Sequence, residues 1–571
     1  MNTVQELKEI EEAILKASSA VTQPAAKCMQ SQEQAPVHTG LPEPIAIIGL
    51  SGFFPKSNSV DEFWRLLDQD VSLIEEIPSS RFDWRKFYDP TGKKAGESRS
   101  KWGGFIPDIA GFDPAFFNIL PGEAVTMDPR QRLLLMSAYQ TFADAGYAPE
   151  SLKQSKTGVF VAIQDNEYLQ LLKDAGVDTG EWYAQTCLLA NRISYFFDFR
   201  GASEVVDAQC PGAAVAIHRA VSALRSGEID QALVGAANLL LRPEPFALLS
   251  DSGQLSPTDS VNSFGLHAQG HLRAEGVASL LLKPLSKALA DKDSIYALVK
   301  NTAVNYNGQG GASIAAPNTD SHVELIKTCY RQVNIDPRQV RYIEAQGMGN
   351  VLADLAEWQA FNRALKEMAR QQQVSLAPGM CKISTVKPMM GHMESASALG
   401  ALFKVVRSMQ TGVIHKIVNF TDYHPDMDRE NQPCTLATET AAWPRTNVAR
   451  LAGVHCYGMG GINAHLLIEE YDRSRHQHND AGQNARAEGR VSQGESPVLI
   501  VLSAKSEPCL TAMVGQLYQF LVQDVQPASL SDIAFTLQVG RDALEHRIAW
   551  VLQTQHELVS GLKKYLGSAA E

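Results

Sequence analysis

The sequence predicts an α/β protein of more than one domain, and three observations carry that prediction. Between residue 43 and about residue 470, short apolar strands alternate with helix-period stretches, the pattern of strands covered by helices. The strands read as continuous apolar runs rather than alternating ones, as strands buried on both faces do. The length of 571 residues exceeds the size at which single cores stop growing.

Taken in chain order, residues 1–42 form an N-terminal helix and linker. Val4, Leu7, Ile10, Ile14 and Leu15 recur at helical spacing over residues 3–18, and residues 19–42 carry the Gln, Pro and Ser of a connecting segment. The helix suits either a partner surface or a solvated linker. In the large region 43–470, buried strands are expected at 45–49, 158–162 and 231–235 in a first half, and at 295–299, 341–344 and 450–454 in a second. Self-similarity between the halves is too weak to prove a duplication. Residues 471–495 are polar and read as a linker; His476 and His478 alone, without a carboxylate or cysteine cluster, make a poor metal site. Residues 496–571 resume with a strand at 497–504 and with helices around Leu517, Phe520 and Leu521 and over 533–537, a small α/β domain.

Composition narrows the setting. The net charge of −12 comes from interspersed acids and bases, which speaks against nucleic acid or an anionic membrane as the main partner. No apolar run reaches membrane-spanning length, and the polar, acidic start lacks the pattern of a secretory leader. The eight cysteines, at 28, 187, 210, 329, 381, 434, 456 and 509, include no Cys-x-x-Cys pair, so reduced thiols in the cytoplasm are expected and a zinc knuckle is not.

Chemistry concentrates in three segments. Cys210 stands where the β-branched run before Asp207 gives way to small residues, Pro211-Gly212-Ala213-Ala214, that open a helix. A thiol there is expected to lie at the positive end of the helix dipole, which favours the attacking thiolate; a lone cysteine is otherwise more often a buried, inert one. Lys387-Pro388-Met389-Met390-Gly391-His392 places a histidine after a glycine turn, and Glu344-Ala345-Gln346-Gly347-Met348-Gly349-Asn350 is a glycine-punctuated turn after a strand.

Together these segments resemble the active-site signatures of β-ketoacyl synthases, specifically the ketosynthase domains of modular polyketide synthases. The resemblance extends from Glu43-Pro44-Ile45-Ala46-Ile47-Ile48-Gly49 through Met127-Asp128-Pro129-Arg130 and Ala190-Asn191-Arg192-Ile193 to Gly458-Met459-Gly460-Gly461-Ile462-Asn463-Ala464-His465. It implies the thiolase fold, two stacked α/β halves in five layers, usually as a homodimer paired through the strand beside the cysteine. It also implies that 496–571 is the small domain that follows ketosynthases, and that the whole is one unit of a longer assembly line.

Carried over residue by residue, the resemblance makes Cys210 the nucleophile and the backbone N–H groups of Cys210 and Met459 the oxyanion donors. Lys387 supports the histidine turns, His392 is one of two imidazoles facing the enolate, and Met459, Gly460 and Asn463 line the substrate site. No bound cofactor and no metal are implied; substrates ride on the phosphopantetheine of acyl carrier proteins. The family's first histidine is Gln346 here, its next threonines are Met348 and Asn350, and its gating phenylalanine is Met459. A glutamine amide donates a hydrogen bond but cannot become cationic. The departure resembles non-elongating ketosynthases of assembly lines served by an acyltransferase in trans. Cys210 would then be acylated and unloaded to a downstream carrier without decarboxylative extension. Two alternatives stay open: a condensing enzyme of altered chemistry, and a catalytically silent dimerising scaffold. His267 or His271, in His267-Ala268-Gln269-Gly270-His271-Leu272-Arg273, could stand in for the missing imidazole; a surface or loop histidine is the plainer reading.

Overall fold

The computed structural model describes residues 40–177, 185–310, 313–473, 497–523 and 528–568. The expected helix over 3–18, the linker to residue 39, and His476 and His478 lie outside the described residues. Eleven strands of residues 45–470 form one hydrogen-bonded sheet. In chain order they are β1 (Ile45–Phe53), β2 (Thr157–Ala162), β3 (Ser203–Val206), β4 (Gln231–Asn238), β5 (Gly276–Pro284) and β6 (Ala297–Tyr306). They continue as β7 (Val340–Glu344), β8 (Cys381–Ser384), β9 (Cys434–Leu436), β10 (Leu451–Tyr457) and β11 (Ile462–Glu470).

The strand order exposes a duplication. From the middle of the sheet outward, one half runs β1-β5-β4-β2-β3 and the other β6-β11-β10-β7-β8, with β9 added at the far edge. In each half the first two pairings are antiparallel and the next two parallel. Thus the first, second, third, fourth and fifth strands of each half occupy the same places. Three residues of β1 pair with β6 and join the halves.

Helices complete five layers. On the outer face of the first half lie α1 (Pro129–Asp144) and α2 (Leu188–Phe197), and on the outer face of the second half α4 (Thr319–Arg331) and α5 (Val351–Gln371). Between the two halves lie α3 (Gly212–Arg225) and α7 (Ser397–Thr411), which pack against each other and against strands of both. The short helix α6 (Lys387–Met390) precedes α7. Three apolar cores follow: a central one around Ile217, Leu402 and Phe403, and an outer one on each side, built on Phe142 and Phe197 or on Phe361 and Leu365. Two stacked α/β halves in five layers, the thiolase fold expected above, are therefore present.

The small C-terminal region is a two-stranded antiparallel sheet, β12 (Val498–Ala504) and β13 (His546–Leu552), under α8 (Glu507–Gln523), α9 (Leu530–Val539) and α10 (Gln555–Ser568), with a core of its own around Ile500, Val514, Leu558 and Leu562. Arg541 Nη1 ties it to the large region by donating to the Ala143 carbonyl (2.9 Å). The seven cysteines among the described residues are free thiols. No helix of the described residues is long and apolar enough to cross a membrane.

Phe403 is fully buried in the central layer, where its carbonyl accepts from Trp64 Nε1 at 3.0 Å. Phe403→Ala is expected to destabilise the protein by about 3–5 kcal/mol in urea denaturation, the cost of a large cavity in a packed core; a change below about 1 kcal/mol would show that the two halves do not depend on this layer.

Candidate active site

The segments singled out in the sequence converge at the carboxyl ends of the parallel strands, where open α/β sheets leave a crevice. Cys210 follows β3, Gln346 follows β7, Lys387 to His392 follow β8, and Met459 follows β10.

Cys210 lies one residue further from the helix than the sequence reading placed it. The helix starts at Gly212 with Pro211 as its N-cap, and Gly212 N–H donates to the Gln209 carbonyl (2.9 Å). Gln209 adopts φ +57°, a left-handed conformation that costs energy for a non-glycine residue and turns Cys210 out of the strand. The turn Gly458-Met459-Gly460-Gly461 packs directly on this bend. A Cβ at position 458 would stand 2.8 Å from Pro211 Cδ and 3.5 Å from the Cys210 nitrogen, so only glycine fits there. Among the described residues, neither the Cys210 nor the Met459 backbone N–H donates to a protein acceptor. Both therefore remain available to a thioester oxygen.

The surroundings of Cys210 work against the expected thiolate. Burial, and then the negative charge of Glu394, push the Cys210 thiol up to about 12, while Lys387 pulls in the other direction. With two residues between Cys210 and the second helical position, the thiol gains too little from the helix to offset desolvation.

Gln346 is fully buried and held at both ends of its amide. Its Oε1 accepts from Lys387 Nζ (3.1 Å) and its Nε2 donates to the Tyr457 carbonyl (2.9 Å). Its backbone N–H and that of Gly347 both donate to the Glu357 carboxylate, at 2.6 and 2.9 Å. Lys387 is buried, and desolvation lowers its pKa. Glu357 is an essential part of the turn that the sequence reading missed; burial pushes its carboxyl up.

His392 Nδ1 pairs with Ser397 Oγ (2.6 Å), and its buried Nε2 has no partner among the described residues. Burial, reinforced by Lys387, keeps the ring neutral. The backbone beside it is fixed: His392 N–H donates to the Leu272 carbonyl (2.7 Å) and Ala274 N–H to the His392 carbonyl (2.8 Å). Gly391 makes this approach possible, since it has φ +88° and a Cβ there would meet Ala274 Cβ at 2.8 Å.

That pairing brings in His271, whose ring centroid lies 5.2 Å from that of His392 at an interplanar angle of 84°. His267, the other candidate, is exposed and stands apart from the site. Burial, then Arg273 and Lys387, lower the His271 pKa to about 3, so this ring too is neutral. Arg273 is itself held by Glu394, Nε to Oε1 at 2.5 Å.

A cleft of about 320 Å³ opens onto Cys210, lined also by His271, Asn307, Met348, Asn350 and Met459. Of the sequence-derived site residues it exposes Cys210 and Met459; Gln346, Lys387, His392 and Asn463 are buried away from it, and half-buried Gly460 does not line it. Asn463 Nδ2 donates to Asn305 and Asn307, at 3.0 and 2.8 Å, and so positions Asn307 on the cleft.

Comparison with known proteins agrees with this geometry. The profile described as "Beta-ketoacyl synthase, N-terminal domain" matches residues 42–288, that of the "Beta-ketoacyl synthase, C-terminal domain" matches 296–421, and that described as "CurL-like, PKS C-terminal" matches 498–562. The chain is similar to polyketide synthase PksR of Bacillus subtilis, 37% identical over 92% of this chain and 20% of that one. It is also similar to polyketide synthase PksM of the same organism, 38% identical over 92% of this chain and 12% of that one. It therefore spans a fifth or less of the length of these curated relatives. Among solved structures, the ketosynthase from module 6 of the bacillaene synthase of Bacillus subtilis 168 superposes with a TM-score of 0.81 at 33% identity, covering 92% of this chain and 85% of that one. The oxazolomycin ketosynthase domain OzmH KS7 of Streptomyces albus gives 0.83 at 32% identity, covering 92% and 89%.

Alkylation of Cys210 by iodoacetamide, read by peptide mass mapping, is expected to accelerate continuously from about pH 7 to about pH 10, because the raised thiol is still protonated throughout. A plateau reached by about pH 8 would mean that the thiolate is already formed.

Proposed function

Because the chain belongs to the β-ketoacyl synthase family, as a polyketide synthase ketosynthase, we propose that it passes a finished acyl chain from one acyl carrier protein to Cys210 and on to a downstream carrier without extending it. The observation that carries this reading is the environment of Gln346. Decarboxylative extension builds negative charge on a malonyl thioester oxygen, which a donor must meet. Gln346 is fully buried, gives one amide hydrogen to the Tyr457 carbonyl, accepts from Lys387 at its oxygen, and does not line the cleft. Losing one such donor typically costs on the order of 10²–10³ in rate.

Acylation needs less. The phosphopantetheine thioester carbonyl enters beside Cys210, the backbone N–H groups of Cys210 and Met459 receive its oxygen, and the Cys210 sulfur displaces the pantetheine thiolate, which leaves with a proton. A second carrier thiol reverses the step. The chain needs no cofactor of its own, and the acyltransferase that would serve such an assembly line acts in trans. Residues 496–571 act as a separate small domain behind the ketosynthase, joined through 471–495, and free thiols suit the cytoplasm.

A homodimer belongs to the same reading. Strand β3, which leads directly to Cys210, is the sheet's outermost strand and pairs on one side only, with β2. An open edge of this kind is a template for a second copy. Tyr195, 87% exposed on the neighbouring α2, lies beside it.

An intact-mass assay with a short acyl-carrier thioester is expected to show acyl mass on the protein and then on an unloaded carrier, with no β-keto product when malonyl carrier is supplied. Cys210→Ala is expected to lose both the adduct and the transfer. A β-keto product from the unmodified chain would refute transfer without extension, and absence of any adduct would leave the scaffold. Light scattering is expected to give a dimer, weakened by Tyr195→Glu; a monomer at micromolar concentration would sink the pairing through β3.

A further inference from the structure

The turn after β10 leaves its one large side chain uncovered. Gly458 N–H donates to the Ile462 carbonyl (3.1 Å) and Gly461 N–H to that of Gly458 (3.0 Å), which closes the turn on itself, and the glycines on either side of Met459 offer nothing to shield it. Met459 is 40% exposed, and it is the only exposed methionine among the described residues. Met348, which lines the same cleft, is half-buried, as are Met136, Met380 and Met513; the others are buried.

A thioether is oxidised by peroxides through its sulfur lone pair and needs no deprotonation, so among methionines exposure governs which one reacts. The other sulfur at the cleft belongs to Cys210, and thiols react as thiolates. That thiol is held protonated at neutral pH, chiefly by burial. A peroxide that enters the cleft therefore meets a reactive thioether beside an unreactive thiol.

We propose that the Met459 thioether is a site of reversible oxidation by peroxides and that its sulfoxide slows the loading of Cys210. One oxygen passes to sulfur as the peroxide O–O bond breaks and an S–O bond forms; sulfur loses two electrons, and hydrogen peroxide is reduced to water. The product carries a strong hydrogen-bond acceptor where the thioether was a weak one. Donors line the same cleft: Asn350 uses its Oδ1 to accept from Ala353 N–H (3.3 Å) as the N-cap of α5, which leaves its amide N–H groups for the cleft. A sulfoxide held by such a donor is fixed in the path of the incoming thioester, on the residue whose backbone N–H receives the thioester oxygen. The control of loading rests on the reading of Cys210 as the acylated residue.

The test treats the protein with hydrogen peroxide at pH 7, resets its thiols with dithiothreitol, and follows both peptide mass and the rate of Cys210 acylation from a short acyl-carrier thioester. Met459 is expected to gain one oxygen before any other methionine of residues 40–568, and the acylation rate to fall about 3- to 10-fold, the worth of one hydrogen bond. Dithiothreitol should leave the loss in place, and a pair of methionine sulfoxide reductases, one for each epimer, should restore the rate. Met459→Leu should keep whatever rate it starts with through the same treatment. Met459→Gln, which puts an amide oxygen where the sulfoxide would stand, should start below Met459→Leu and not respond to peroxide. Oxidation of Met348 ahead of Met459, full oxidation of Met459 without change in rate, or a loss that Met459→Leu shares overturns the proposal. Sulfinic or sulfonic acid on Cys210 while Met459 is intact overturns it too, since the sensitive sulfur is then the thiol. Failure of the transfer reading shows before peroxide is added, as a β-keto product from malonyl carrier, and the peroxide dependence of acylation still decides the role of Met459. Absence of any adduct on the untreated chain overturns both.

Discussion

The buried carboxylate of Glu357 is the fixed point of the site. By accepting the N–H groups of both Gln346 and Gly347 it holds the turn after β7 in a single conformation, and Gln346 then ties that turn to Lys387 on one side and to the Tyr457 carbonyl on the other. Three segments distant in sequence are thereby locked together by four hydrogen bonds. Burial pushes the Glu357 carboxyl up, while the two amide donors and the nearby Lys387 pull in the other direction. The same solution recurs around it. Glu344 pairs with Lys404 at 2.9 Å, and Arg273 is shared between Glu394 and Glu167.

The duplicated topology explains why these groups meet at all. Cys210 follows the third strand of the first half and Lys387 to His392 follow the third strand of the second, so nucleophile and imidazole occupy equivalent places in two copies of one strand order. Each turn then runs into one of the two central helices, α3 and α7, which pack against each other. The separation of Cys210 and His392 is set by helix packing in the buried middle layer rather than by loops.

Much of this was legible in the sequence, and what was hidden was hidden for physical reasons. The strands around 45, 158, 231, 341 and 451 read correctly because each is a short apolar run closed by glycine or polar residues. The duplication did not, because strand order is set by pairing and leaves no mark in residue identity. Local turn chemistry singles out Cys210 and His392, and Met459 came only from the resemblance. Glu357 and Glu394 were not: each lies in a helical segment, and nothing local separates a buried helical carboxylate from a solvated one. The choice between His267 and His271 illustrates the limit. Both follow polar, turn-like sequence, and only the pairing of 272–274 with His392 buries the second and leaves the first in solvent.

The identity of residue 346 changes more than one donor. A glutamine side chain presents an NH2 and an oxygen at its end, and at this position the scaffold holds both, one amide N–H by the Tyr457 carbonyl and Oε1 by Lys387 Nζ. An imidazole in the same place has two ring nitrogens, one of which would have to face Lys387 as acceptor, leaving the other N–H to project elsewhere. Replacing it with an amide therefore converts a reactive group into a strut. Among the described residues the cleft beside Cys210 is lined by His271, Asn307 and Asn350, so polar contact with anything held there comes from side chains other than that of residue 346.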